Sequence, residues 1–170
     1  MASGYEKGIP MGGELNAINN EPPRFLFAAI KDPLGANLDR LQIVKGWIEN
    51  GEMKEKVFNV AWSDDRPLDD KGNIAPVGNT VNLEEATWTD TIGDVALVGI
   101  WSDPEHDPIK AAVYYARVLQ IPTPRWTLYD KVRFGIKDMD EEIPLVTQER
   151  AYSSPIWYKP KKNLFLNLEG

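Results

Sequence analysis

Asp103, Glu105 and Asp107 stand two residues apart in "SDPEHDP", with the chain's single histidine, His106, among them. Oxygen donors at such spacing are the ligand type that calcium takes, and "LDDKGN", around Asp69, Asp70 and Asn73, is a second acidic turn of the same kind. Neither stretch follows the ligand order of a helix-loop-helix calcium loop, and Asp-Pro pairs recur in proteins because they make turns. The expectation is therefore no metal site and no cofactor in this chain, with Asp103, Glu105 and Asp107 as the residues on which a metal would have to rest. His106 alone reads as a surface or packing residue.

A second stretch with chemical reach is "IPTPRWTLYD", Ile121 to Asp130. Arg125 beside Trp126 can stack as a cation-π pair or make a two-pronged contact to a carboxylate or phosphate. Arg125, Trp126, Tyr129 and Asp130, together with Glu149 and Arg150, are the candidates for an interface or a ligand contact. In the plainer reading, Trp126 plugs the end of the fold and Arg125 pairs with Glu149. The six tryptophans and six tyrosines offer a further possibility. Trp47, Trp88, Trp126 and Trp157 could form a stacking platform for a sugar if exposed, and belong to the core if buried.

Much chemistry is excluded. With no cysteine and one histidine, the chain has no disulfide, no thiolate metal site and no cysteine nucleophile. Histidine-based metal clusters and a His-dependent serine triad have almost nothing to draw on. No "GxSxG", "GxxxxGK[ST]" or "GxGxxG" occurs. The 26 acidic residues always contain some pair of carboxylates, and only their separation in space could recommend one for glycoside hydrolysis.

A formal charge of -7 argues against an extended phosphate-binding surface, so nucleic acid is not an expected partner. The one dense basic group, Lys159, Lys161 and Lys162, is short and reads as a solvated tail. No run reaches the roughly 18 apolar residues of a membrane span, and the first residues lack the pattern of a signal peptide. The 170 residues, 42% apolar and 26% charged, suit one globular domain with a real core.

The elements that must carry these residues are mostly strands. "RFLFAAIK" is a short apolar run between proline-rich breaks. "LQIVKGWI" and "KVFNVAW" flank Asn50-Gly51 and read as a hairpin, with Leu41, Ile43 and Trp47 on one face of the first strand and Phe58, Val60 and Trp62 on one face of the second. "SDDRPLDDKGNIAPVGN" is a long loop, and "DVALVGIW" a strand. "AAVYYARVLQI" is read as a strand over a helix because its Tyr, Val and Ile residues favour the pleated surface. "TLYDKVRFG" can make about two helical turns from a threonine N-cap, and "SSPIWYK" gives a last strand. The fold expected is mainly β: an antiparallel β-sandwich, immunoglobulin-like, with one or two short helices. Residues 1–23 read as a connecting arm from a preceding domain, 24–160 as the sandwich and 161–170 as a C-terminal tail.

"YEKGIPMGGEL", "KDPLGANLDRLQIVKGW", "VFNVAWSDDR", "PVGNTVNLEEATWTDTIG", "YYARVLQIPTPRWTLYD" and "QERAYSSPIWY" occur in this order. Together they closely resemble the C-terminal part of the bacterial family catalogued as domain of unknown function 3604, from about Tyr5 to Tyr158. The resemblance implies a metal-dependent hydrolase related to the polymerase-and-histidinol-phosphatase (PHP) superfamily, in which an N-terminal barrel-like domain carries the His and Asp ligands of a divalent metal and a β-rich region follows. The sequence is then expected to begin after that domain, and none of the ligands maps onto a position here. The partner implied is the N-terminal catalytic domain of the parent protein, and a periplasmic or secreted location is implied for the parent. Under this reading the present chain is noncatalytic and the 121–130 corner faces the catalytic domain. A stand-alone ligand- or carbohydrate-binding module is the alternative.

Overall fold

The computed structural model describes residues 8–17 and 20–161. Ten strands follow in chain order: β1 (Glu14–Asn16), β2 (Arg24–Ile30), β3 (Leu38–Glu49), β4 (Glu52–Trp62), β5 (Ala96–Ser102), β6 (Ala112–Gln120), β7 (Thr123–Pro124), β8 (Val146–Thr147), β9 (Arg150–Tyr152) and β10 (Ile156–Lys159). A single helix among the described residues, α1 (Trp126–Phe134), lies between β7 and β8.

The β3–β4 hairpin forms as its sequence predicts. Asn50 (φ 53°) and Gly51 (φ 78°) supply the two positive angles of the tight connection. The main sheet has the order β1-β10-β6-β3-β4, with β6 at its centre and β9 sharing the β10 side of β6. β2 and β5 pair with each other as a separate two-stranded ribbon, which lies over the main sheet and closes a two-layer sandwich. β7 and β8 make a third, minimal pair.

The core lies between ribbon and sheet. Phe25, Phe27 and Leu97 come down from the ribbon onto Leu41, Ile43, Tyr114 and Tyr158, with the Phe25 and Tyr114 rings 4.8 Å apart. Period-2 alternation sets the inward set, as expected for β3: Leu41, Ile43 and Trp47 all join this cluster. β6 is the strand that its Tyr and Val content predicted, and it sends Tyr114, Ala116 and Val118 inward. At Gly99, opposite Phe27 in the ribbon, an added Cβ would stand 2.7 Å from the Phe27 ring. The missing side chain is thus what lets that phenylalanine lie flat on β5.

Three expectations are corrected. The sandwich is not wholly antiparallel, because β1 pairs parallel to β10. The same strand lies in the 1–23 stretch expected to be an arm; its backbone completes the edge of the main sheet, with Ala17 N–H donating to Lys159 O, and Leu15 and Ala17 pack on the core. The helix is not capped by threonine. Arg125 is its N-cap, with extended backbone and no side-chain cap bond, and Thr127 instead donates its hydroxyl to the Pro144 carbonyl at 2.6 Å. Lys161 is exposed, and the remainder of the expected tail, including Lys162, lies outside the described residues. No helix among the described residues is long and apolar enough to cross a membrane.

Candidate functional site

The 121–130 corner turns its aromatic residues outward. Trp126 is 64% exposed and Tyr129 is exposed one turn later on α1, with Asp130 half-buried beside them. The Arg125 guanidinium lies 5.9 Å from the Trp126 ring centre, the geometry of a cation-π pair. The structural reading of this corner is corrected on two points: Trp126 plugs nothing, and among the described residues Arg125 and Glu149 form no ion pair. Leu128 and Thr127 are the helix residues that are buried, because the helix turns its other side to the protein. Glu149 is exposed on the β8–β9 connection and Arg150 is exposed at the start of β9.

The acidic turn 103–107 is taken up by internal pairing. Asp103, almost fully buried, has Lys45 Nζ 2.5 Å from Oδ2 and accepts the Tyr114 hydroxyl at 2.8 Å on the same oxygen. Burial and the adjacent Asp103 charge push the Tyr114 phenol far up, so it remains a donor. Glu105 pairs with Lys56, and Asp107 lies 3.5 Å from Lys110. The His106 ring packs edge-on against Tyr158 at 4.9 Å, and burial pulls its imidazole below the ordinary value despite the nearby Asp103. In the other turn, Asp69 accepts the backbone N–H groups of Lys71 and Asn73 and the Asn73 side-chain amide. That side-chain bond, followed by the backbone one, lowers its carboxyl. Among the described residues no group of three or more His, Asp or Glu side chains is arranged to hold a metal.

Asp39 is the centre of a polar clasp. Its carboxylate is fully buried, accepts Arg66 Nη2 on Oδ1 at 2.7 Å, and accepts Arg40 Nη1 (2.9 Å) and Gln148 Nε2 (3.0 Å) on Oδ2. Arg66 also donates to the carbonyls of Ser63, Asp39 and Ala75, and Gln148 to that of Gln120. The long loop after β4 is thereby tied to the main sheet and to β8. The clasp borders a pocket of about 210 Å³ walled by Ile74, Pro76, Val77 and Pro122. Clasp and pocket together draw on five separate stretches of sequence, "LDR", "SDDR", "APVG", "LQIP" and "TQER", of which "SDDR" contributes only the Arg66 of the clasp.

The four tryptophans do not form a platform. Trp47 packs on the core, Trp88 joins a satellite cluster with Ala36, Val77 and Ile121, Trp126 is on α1, and Trp157 is exposed on β10.

The outer face of the β2–β5 ribbon is exposed and apolar. Leu26, Ile30, Val98 and Ile100 are 61–79% exposed. Leu26 stands opposite Ile100 and Ala28 opposite Val98, so the two strands make one continuous face. Among the described residues no strand pairs with either outer edge of the ribbon. The outward face of the main sheet is different: Arg117 donates to Gln42, Gln42 to Asn59, and Asn59 to the Gly72 carbonyl, each at 2.8 Å.

A family model described as "Protein of unknown function (DUF3604)" matches residues 1–160. The chain belongs to that family. No curated protein and no solved structure matches it. For this DUF3604 chain, residue spacing alone missed Asp39, Arg66, Gln148, Lys45 and Tyr114. Lys45 carried a usable signal, since it continues the period-2 series of Leu41, Ile43 and Trp47 and so had to face the core. The Asp39 clasp carried none, because its members lie up to 109 residues apart.

Proposed function

We propose that this chain is a noncatalytic β-sandwich module, immunoglobulin-like in its two-layer plan, that supports a metal-dependent, PHP-like hydrolase domain. It docks through the outer face of the β2–β5 ribbon. The observation that carries this reading is that face: four large aliphatic side chains in one continuous patch on a two-stranded layer with open edges. Soluble domains seldom leave such a patch uncovered, and ribbons with open edges invite a neighbour. Covering each side chain contributes roughly 1.5–3 kcal/mol before the costs of association. A single histidine in 170 residues supports placing the divalent metal and its ligands on the other domain.

Intact mass of the native polypeptide, followed by assay of that polypeptide, tests the reading. We expect an upstream domain, hydrolysis of p-nitrophenyl phosphate by the joined protein with Mn²⁺, none by residues 1–170 alone, and loss of domain association in Val98→Glu/Ile100→Glu. A native polypeptide confined to these 170 residues, or turnover by them alone, sinks it.

A further inference from the structure

At the end of the sandwich away from Asp39, the hairpin end of β3, the 103–110 turn and the start of β6 enclose a pocket of about 220 Å³. Sites for drug-sized ligands run from about 300 to 1,000 Å³, so this one has room for a single ring. We propose that it binds a neutral polyhydroxylated ring, the chemistry of one sugar residue, against the Trp47 indole. This does not rest on the docking reading, because the pocket opens between the layers at one end and the docking face is the outside of the ribbon.

The apolar side of the pocket is Trp47, Ala112 and the ring of Tyr114. A sugar has an apolar C–H face that suits an aromatic wall and a hydroxyl edge that needs both donors and acceptors. Lys45 supplies the donor side. Its ammonium donates to the Glu105 carbonyl at 2.7 Å, touches Asp103, and sits 5.4 Å from the centre of the Trp47 ring. Lysine has three N–H donors, so one remains beyond those two partners. The acceptors stand at the rim: Glu49, Glu105 and Asp107, with Lys110 bridging Glu49 at 2.9 Å and Asp107 at 3.5 Å.

Charge excludes the other ligand classes. The three lining carboxylates outnumber the two lining ammonium groups and so disfavour an anion, while each of them already has a lysine partner, Glu105 with Lys56 and both Glu49 and Asp107 with Lys110, and so has little left to offer a cation. Hydroxyl groups can serve both kinds of partner. The Lys45–Asp103 pair also needs a reason to exist, since a buried ion pair adds little stability over an apolar pair of similar size. Holding a donor fixed at the floor of the pocket supplies that reason.

The test is a titration of residues 1–170 with D-glucose, D-galactose and N-acetyl-D-glucosamine at millimolar concentration, read by amide and indole resonances. For at least one sugar we expect saturable shifts at the Trp47 indole N–H and the Ala112 amide. Trp47→Ala should abolish them. Glu105→Gln, a change at a half-exposed side chain, should weaken binding by about tenfold through a lost charged hydrogen bond and decides the matter if Trp47→Ala does not fold. Trp157→Ala, altering an exposed tryptophan on β10 that does not line the pocket, should leave binding unchanged. Absence of saturable shifts with all three sugars, or shifts that persist unaltered in Trp47→Ala or Glu105→Gln, overturns the proposal.

Discussion

Along β2, Phe25 and Phe27 are sealed against the main sheet while Leu26 and Ile30 stand in solvent; along β5, Leu97 is sealed while Val98 and Ile100 are not. Strand geometry explains why neighbours part ways, since successive side chains leave opposite faces. It does not explain why both faces are apolar. A sandwich layer with one solvated face normally alternates apolar and polar residues, and the main sheet of this same protein places an Arg117–Gln42–Asn59 chain of hydrogen bonds on its outward side. The ribbon's outer face is therefore a local departure within one molecule. The inner face is explained by the fold, and the outer one by something the fold must meet.

Substitutions on the two faces should separate those roles. Phe27→Ala removes a buried ring from the inner face and should lower unfolding free energy by about 3–5 kcal/mol in chemical denaturation. Gly99→Ala acts on the same contact from the opposite strand. Its new Cβ meets the Phe27 ring, and overpacking should lower stability by about 1–3 kcal/mol. Acid should act on the inner side as well. His106 packs on the core residue Tyr158, and its imidazole lies below the ordinary 6.5 in the folded protein. Below that pH the unfolded chain takes up a proton that the folded one does not, so stability is complete above about pH 6.5 and falls as pH drops beneath it. His106→Gln should flatten that part of a melting-temperature profile. Ile100→Glu on the outer face should change the stability of residues 1–170 by no more than about 0.5 kcal/mol, while reducing the binding of a hydrophobic dye. A large loss of stability from Ile100→Glu would mean that the outer face already serves this chain's own fold.

The sequence was informative where local chemistry decides the outcome. Asn50-Gly51 fixed the hairpin, alternation placed Leu41 and Ile43 inward, and the Tyr and Val content of β6 chose strand over helix. It was silent where the answer depends on partners far along the chain. β1 is three residues long and exists because the β10 backbone lies beside it, which no pattern within "ELN" could show. Trp126 reads as a core residue by type, yet α1 buries Thr127 and Leu128 and leaves Trp126 exposed. Of the candidate site, the sequence named Trp47, Glu105 and Asp107, but their meeting around Lys45 required the register of β3 against β6.

The Asp39 clasp also bears on time. Its donor from Gln148 is 109 residues away along the chain, and contacts of such separation form only after a large loop has been closed. The clasp is thus expected to fasten after the folding barrier has been crossed. Gln148→Ala should then leave the refolding rate nearly unchanged and speed unfolding by roughly five- to thirtyfold, the kinetic form of about 1–2 kcal/mol, which the two arms of a denaturant-dependence plot of the rates would show separately. The lifetime of each folded molecule is set in part by one amide group, long after the strands that it fastens have found their register.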